Sequence, residues 1–159
     1  MVKIFNRRIK KETIKHFCFQ SILAGLVFYL GLGLLPFLAE EFVLVAAAGS
    51  TAFIVFAMPS SKTADPRRVI GSHFVCGMIG FAFYATYPVF FSFEIAVSIA
   101  LTVSILAMVS LWLEHPPAAG TVLFFVIDAE PAAFISLLLL ITIMGLLSHI
   151  FHPYLYDLV

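Results

Sequence analysis

The chain has 159 residues, of which 62% are hydrophobic and only 11% are charged, and its formal net charge is zero. Soluble domains carry about a quarter charged residues, so this composition excludes an ordinary water-soluble domain. A helix needs about 20 apolar residues to cross a bilayer. The chain therefore has room for four to six crossings and for no separate soluble domain beside them.

The N-terminal segment is strongly basic. Six of the nine Lys and Arg residues lie in the first fifteen positions: Lys3, Arg7, Arg8, Lys10, Lys11 and Lys15. Because Lys and Arg collect on the cytoplasmic side of membrane proteins, we interpret residues 1–16 as a basic cytoplasmic arm. The lipid bilayer is the expected partner of the chain, and nucleic acid is not.

Six apolar runs follow this arm. They cover residues 17–38, 42–58, 69–87, 95–113, 118–127 and 132–151. The second is a short crossing, and the fifth would span only about 15 Å, half of the bilayer core. The pattern predicts an all-α, polytopic membrane helix bundle of four long helices and two short or partial ones, in a single transmembrane domain over residues 17–152. Whether 118–127 spans the membrane or re-enters on the same side stays open.

The charges between these runs sort by side. If the N-terminus is cytoplasmic and all six runs cross, the loop with Lys62, Arg67 and Arg68 is also cytoplasmic, whereas Glu41 and Glu94 lie outside. The positive-inside rule is a bias in Lys and Arg. The sorting therefore predicts a multi-pass protein of the cell inner membrane with both termini in the cytoplasm.

Three helices carry small or polar residues on one face. The sets are Gly25, Tyr29 and Gly33; His73, Gly77, Gly80 and Tyr84; and Thr142, Gly145, His149 and His152. Small residues let helices approach closely in lipid, so we interpret these faces as packing faces. The histidines of the second and third sets also suit a polar interior.

The second and fifth runs resemble each other. "AAGSTAFIVF" begins at Ala47 and "AAGTVLFFVI" begins at Ala118. Each run is the middle of a long–short–long trio, which indicates an inverted 3+3 repeat with halves 17–87 and 95–151. A chance match of small residues is the alternative.

Short elements at matching positions of two halves point to the binding site of a transporter. The first turn of a helix has unpaired N–H groups and a partial positive charge. Two helix starts that face each other would bind one small anion near the midplane. The residues expected around it are Gly49, Ser50, Gly120 and Thr121.

The stretch "LEHPPAAGT" interrupts two apolar runs. Pro116 and Pro117 are predicted to end the fourth helix and to start the fifth, since proline suits the first turn of a helix. His115 at this break either donates a hydrogen bond toward the interior or marks a structural kink. In the loop before the third helix, Arg67 and Arg68 are expected to draw anions toward the inner mouth. Asp65 either forms an ion pair with one of them or belongs to a merely solvated loop.

No pattern of catalytic or metal-binding residues accompanies these features. Cys18 and Cys76 have the spacing of neither a metal site nor a disulfide framework, and no HExxH motif is present. We therefore predict no metal, no cofactor and no enzymatic activity.

Two stretches resemble a known family. "HPPAAG" at residues 115–120 and "PSSKTADPRRVIGSH" at residues 59–73 resemble the two characteristic stretches of the HPP family of integral membrane proteins. The resemblance covers roughly residues 17–150. It implies a multi-helix inner-membrane protein, usually described with four spanning helices. Because plastid members are associated with nitrite transport, it also implies nitrite as a substrate.

The leading hypothesis is a membrane transporter or channel for a small inorganic anion, with nitrite named by the resemblance. The alternative is a non-transporting scaffold or regulatory module that acts through the basic arm; an intramembrane enzyme using Glu114 and His115 is least favoured. A bundle this small leaves little room for an alternating-access cycle, so we expect a homo-oligomer. The predicted substrate-binding residues are His115, Gly120, Thr121, Gly49, Ser50, Arg67 and His73.

Overall fold

The computed structural model describes residues 14–35, 41–90 and 92–158. Its helices are α1 (Ile14–Leu34), α2 (Phe42–Ala57), α3 (Pro66–Phe90), α4 (Phe93–Ser110), α5 (Ala118–Ile127) and α6 (Pro131–Phe151), with 3-10 turns at Lys62–Ala64 and His152–Tyr154. These residues contain no strand. The helices α1, α3, α4 and α6 are long and apolar enough to cross a membrane. The predicted all-α bundle of four long and two short helices is confirmed. Most of the basic arm, residues 1–13, lies outside the described residues.

Large apolar side chains cover the outside of the bundle. Ile22, Leu106 and Ile150 are each exposed by more than 60%. In water such a surface would drive association, whereas in lipid it is matched by the acyl chains. The interior holds the remaining apolar residues together with a few polar side chains.

The start of α3 differs from the prediction. The helix begins at Pro66, three residues before the predicted start, because Asp65 accepts hydrogen bonds from the backbone N–H groups of Arg67 and Arg68 at 2.9 and 3.4 Å. A carboxylate at this position satisfies N–H groups that the helix itself leaves unpaired, and proline suits the first helical position. Asp65 therefore caps the helix through the backbone, and the ion pair predicted for it is wrong.

The central helix is α3, which packs against α4, α5 and α6. Its glycines permit close approach. A Cβ at Gly80 would lie 2.5 Å from the Cβ of Phe125 on α5, and a Cβ at Gly77 would collide with the ring of Phe134 on α6. The packing face predicted for this helix is confirmed at these two glycines, whereas Tyr84 is exposed.

The face predicted for α1 is wrong. Gly25, Tyr29 and Gly33 are exposed, and a Cβ at either glycine would meet nothing within 4 Å. The buried face of α1 instead includes Gln20 and Gly31. Small residues alone did not identify the packing face, because the polar Gln20 has buried backbone partners that the sequence does not reveal.

The two Ala-Ala-Gly segments pack against each other. A Cβ at Gly120 would lie 3.1 Å from the Cβ of Ala47. Farther along α2, Thr51 reaches His115, which precedes α5. Going from Ala47 to Thr51 along α2 therefore corresponds to going from Gly120 back to His115. The two segments run antiparallel where they touch. The inverted repeat itself stays a prediction.

Three chain segments meet at one end of the bundle. Gln20 near the start of α1 donates to the carbonyls of Phe56 and Tyr156 at 2.6 and 2.8 Å and accepts from the N–H of Tyr156 at 3.0 Å. The N–H of Leu158 donates to the carbonyl of Ala57. The start of α1, the end of α2 and the segment after α6 therefore lie together.

Candidate functional site

The connection between α4 and α5 begins with a chain reversal. The N–H groups of Trp112 and Leu113 donate to the carbonyls of Val109 and Met108, and Trp112 has a φ of 57°. This is a Schellman motif, in which glycine usually takes the left-handed position. An L-residue in that position costs roughly 1–2 kcal/mol. The motif ends α4 at Ser110, three residues before the predicted end.

The reversal fixes the connection against α3. Leu113 packs on Gly71, where a Cβ would lie 2.9 Å from its Cδ2. Glu114 then forms an ion pair with Arg68, with side chains 37% and 20% exposed. An exposed pair of this kind contributes about 1 kcal/mol or less to stability. Its main consequence is positional, because His115 follows directly and is completely buried.

A continuous set of hydrogen bonds links two buried histidines with groups from three other segments. Thr121 Oγ1 lies 2.7 Å from His73 Nδ1, and His73 Nε2 lies 3.1 Å from Thr51 Oγ1. Thr51 Oγ1 lies 3.0 Å from His115 Nε2, and His115 Nδ1 lies 2.7 Å from the Thr63 carbonyl oxygen. We call these five groups the histidine–threonine chain. Its four side chains are completely buried.

The carbonyl at one end determines the direction of every bond in the chain. A carbonyl only accepts, so Nδ1 of His115 carries a hydrogen and Nε2 of the neutral ring must accept from Thr51. Thr51 then accepts from Nε2 of His73, and Nδ1 of His73 accepts from Thr121. In this arrangement both imidazoles are neutral and every polar atom of the chain has a partner.

Thr51 has one competing acceptor. Its hydroxyl also lies 3.0 Å from the carbonyl of Ala47, four residues earlier on its own helix. If the hydroxyl donated there, Nε2 of His115 would be buried without a donor, which costs about 1–3 kcal/mol. The direction that runs from Thr121 to the Thr63 carbonyl is therefore favoured.

His115 lies in the connection between the helices. Burial lowers the pKa of His115 to about 4, although the hydrogen bond to the Thr63 carbonyl acts in the opposite direction. The ring is therefore neutral at pH 7, as the hydrogen bonds require.

The structure brings together three of the seven predicted site residues: His73, His115 and Thr121. Gly120 neighbours them in sequence and packs on Ala47 of α2. Its role in the structure is close helix packing.

The other three predicted site residues lie elsewhere. A Cβ at Gly49 would face Phe28 of α1 at 3.8 Å. Ser50 is exposed and donates to the carbonyl of Ala46 at 2.9 Å. Arg67 is exposed in the first turn of α3.

Two facing helix starts are not formed. Because α2 begins at Phe42, Gly49 and Ser50 lie in the middle of that helix. At the start of α5, the N–H groups of residues 118–120 donate to the carbonyls of residues 115–117, each at 3.0 Å. The amide donors expected to bind an anion there are already paired, so an anion needs other partners.

Two members of the histidine–threonine chain were not predicted. Thr51 shares a helix face with the buried residues Leu44, Ala47 and Val55, at helical spacing, and this signal is present in the sequence. The Thr63 carbonyl belongs to the backbone, and no side-chain pattern identifies it.

A polar cavity of about 480 Å³ opens beside the loop between α2 and α3. We call it the loop pocket. Its polar lining includes Ser60, Ser61, Lys62, Asp65, His149 and His152. Thr63, whose carbonyl ends the histidine–threonine chain, lies between Lys62 and Ala64, which both line the pocket. Within residues 14–35, 41–90 and 92–158, no three His, Cys, Asp or Glu side chains form a group that could hold a metal ion.

Membrane-length helices around a buried polar chain define a polytopic integral membrane protein. The comparison with protein families is specific: the family model described as "HPP, transmembrane region" matches residues 10–155. The chain therefore belongs to the HPP transmembrane family, and the family resemblance of the two stretches is confirmed.

One relative of this chain is a transmembrane protein of Dictyostelium discoideum, 32% identical over 93 residues. The match covers 58% of this chain and 33% of that protein, so it spans about a third of the relative's length. No solved structure matches the chain.

Proposed function

We propose that this protein transports a small inorganic anion across the membrane, with nitrite as the first candidate because the family resemblance points to it. The convergence of both family stretches on one buried polar chain carries this proposal. The loop stretch supplies the Thr63 carbonyl and His73, and the HPP stretch supplies His115.

Such a chain is unusual in the interior of a membrane bundle. A buried donor or acceptor of the chain that lost its hydrogen-bond partner would destabilise the fold by about 1–3 kcal/mol. Apolar side chains at these positions would pack the helices together without that risk. Histidines and hydroxyls inside membrane proteins mark paths for ions and protons. This placement supports transport over a purely structural role.

The charges at the loop favour an anion. Among the residues that the structure describes, Arg68–Glu114 is the one ion pair. Asp65 accepts from the backbone of α3. Lys62 and Arg67 thus have no carboxylate partner in the described part of the chain. Both cations attract anions toward the loop pocket, and they act against the carboxylates of Asp65, which lines the pocket, and Asp157, which accepts from the N–H of Ser60.

The direct test is uptake by liposomes that contain the purified full chain. Nitrite, nitrate and chloride are supplied in turn under an imposed membrane potential, with protein-free liposomes as the baseline. We expect protein-dependent uptake of at least one anion, with nitrite fastest. Uptake of none above the baseline would overturn the proposal and favour the non-transporting membrane module.

Arg67→Gln tests the loop as the entrance. Exposed charges act through a field that is screened over about 8 Å at physiological salt and over about 30 Å at 0.01 M. The variant should therefore slow uptake several-fold at low ionic strength and less at physiological salt. Lys15→Gln removes the same charge from the exposed start of α1 and serves as the control. Equal slowing at both salt concentrations would contradict an electrostatic role for Arg67.

A further inference from the structure

We infer that the histidine–threonine chain is a proton relay and that the anion crosses together with a proton. The geometry points to this because four donor–acceptor distances between 2.7 and 3.1 Å join five groups without a gap. Each internal member of the chain is both a donor and an acceptor, which is the requirement for passing a proton along. The coupling to an anion rests on the proposed function, whereas the relay itself does not.

A proton that reaches Thr121 moves the whole chain by one step. Thr121 is completely buried in this structure, so this step requires a conformation that admits water to it; there Thr121 takes up the proton from hydronium and passes its own hydrogen to Nδ1 of His73. His73 passes its Nε2 hydrogen to Thr51, and Thr51 passes its hydroxyl hydrogen to Nε2 of His115. One O–H bond of hydronium is broken, one N–H bond is formed on His115, and each group between them exchanges one hydrogen for another. The positive charge ends on His115.

The end point of the relay has a hydrogen-bond partner for each nitrogen of the charged ring, although burial opposes the charge. Nδ1 of His115 already donates to the Thr63 carbonyl, which cannot release a hydrogen of its own. After the transfer, Nε2 of His115 donates to Thr51, Thr51 donates to His73, and His73 donates to Thr121. These three hydrogen bonds remain with their direction reversed, and the bond to the Thr63 carbonyl keeps its direction. The protonated state therefore needs no new partner.

The charged end lies next to the loop pocket. Lys62 and Ala64, on either side of Thr63, both line that pocket. An anion there favours the protonated ring, and the protonated ring favours the anion by the same free energy. An anion that enters a membrane bundle alone faces a penalty of several kcal/mol, and a proton that travels with it cancels the net charge. The arrangement is thus suited to anion–proton symport.

Few other charges face the relay. Helices α2 and α5 carry no titratable residue. Arg68 and Glu114 are paired with each other. The remaining titratable groups on the elements that pack around the relay are Lys62, Asp65, Arg67, Cys76, Tyr84, Tyr87, Glu94, His149 and His152. None of them is a member of the histidine–threonine chain, whose only titratable groups among the described residues are His73 and His115.

Thr51→Val is the central test, because valine keeps the shape of threonine and removes the hydroxyl in the middle of the relay. Thr51→Ser keeps the hydroxyl and is the matched rescue. Thr102→Val is the control, because this exposed hydroxyl on α4 bonds only to the Ser98 carbonyl of its own helix. Each variant is reconstituted as the full chain, and nitrite uptake is measured together with the internal pH reported by a trapped dye.

We expect the wild-type protein to acidify the interior during nitrite uptake and to respond to an inward proton gradient. Thr51→Val should lower proton movement and the response to the gradient by roughly tenfold or more, since a methyl group has no exchangeable hydrogen. Thr51→Ser and Thr102→Val should behave like the wild type. Thr121→Val, at the entry end, should resemble Thr51→Val.

The outcomes separate the relay from the proposed function. Nitrite uptake without proton movement, unchanged in Thr51→Val, would overturn the relay and leave anion transport standing. Proton movement that Thr51→Val abolishes, without uptake of any anion, would support the relay and overturn the proposed function. If the valine variants do not insert, nitrogen NMR of the wild-type histidines decides: hydrogens on Nδ1 of His115 and Nε2 of His73 support the relay, and the opposite tautomers overturn it.

Discussion

The backbone carbonyl of Thr63 decides which nitrogen of His115 carries the hydrogen. From that one acceptor, the roles of Thr51, His73 and Thr121 follow in order, because each group has only one arrangement that leaves no neighbour unpaired. A single backbone carbonyl thus sets the direction of the hydrogen bonds across three helices.

The neutral ring of His115 makes stability depend on pH. Burial lowers the pKa of His115 to about 4 in the folded protein, whereas an unfolded histidine has a pKa near 6.5. Between these values the unfolded state binds a proton that the folded state does not. The contribution of this group to stability is therefore lost as the pH falls. Going from pH 7 to pH 5 should cost about 2 kcal/mol.

The measurement compares the free energy of unfolding in detergent at pH 7 and pH 5 for the wild type and for His115→Asn. Asparagine can still donate to the Thr63 carbonyl but has no titrating ring. The difference between the two proteins removes the contribution of the other histidines. The same loss of stability in both proteins would show that His115 does not titrate as expected.

Residue-level prediction from the sequence succeeded where the side chain itself was informative. His73, His115 and Thr121 stood out as polar residues in apolar runs, and the structure brings them together. Ser50 was chosen where Thr51 is the buried partner, an error of one position. One residue turns a helix by about 100°, so a neighbouring position points to a different surface.

At the level of elements, close contact between α3 and α5 places His73 beside Thr121. This approach depends on Gly80, where a Cβ would lie 2.5 Å from Phe125 Cβ and 3.1 Å from the Val122 carbonyl oxygen. Both neighbours sit in the fully buried part of α5, and one of the contacts is backbone, so they cannot simply move aside.

Gly80→Ala should therefore destabilise the protein by about 1–3 kcal/mol, the usual cost of overfilling a packed contact. Gly25→Ala is the matched control, since a Cβ there meets nothing within 4 Å and alanine is the better helix former by up to about 1 kcal/mol. Thermal unfolding of both variants in the same detergent measures the difference. Equal stability of the two variants would contradict the tight α3–α5 contact.

Helix positions were largely predictable because long apolar runs must form helices in lipid. The exact ends were not. The cap at Asp65 and the left-handed turn at Trp112 moved two boundaries by three residues each. Both depend on backbone hydrogen bonds rather than on hydropathy. The likeness of the two Ala-Ala-Gly segments also concealed a difference, since one opens α5 and the other lies in the middle of α2.

For the whole molecule, several contacts place distant segments at the same end of the bundle. The side chain of Gln20 on α1 donates to the carbonyl of Tyr156, and the backbone N–H of Ser60 in the loop between α2 and α3 donates to the carboxylate of Asp157. Arg68 at the start of α3 pairs with Glu114 before α5. Four segments therefore lie on one side of the bundle: the start of α1, the loop between α2 and α3, the connection between α4 and α5, and the segment after α6. These are the segments that the charge pattern assigns to the cytoplasm, and the compartment itself stays a prediction.

Cysteine labelling in intact cells tests this assignment. The background carries Cys18→Ser, because Cys18 is exposed, and retains the buried Cys76. Lys62→Cys places a thiol in the exposed loop, and Glu94→Cys places one at the start of α4. If the shared side is cytoplasmic, an impermeant thiol reagent added outside should label position 94 and not position 62. Both should be labelled after the cells are opened, which shows that each thiol is accessible. Labelling of position 62 from outside would reverse the orientation, and the Arg67 entrance would then face the cell exterior.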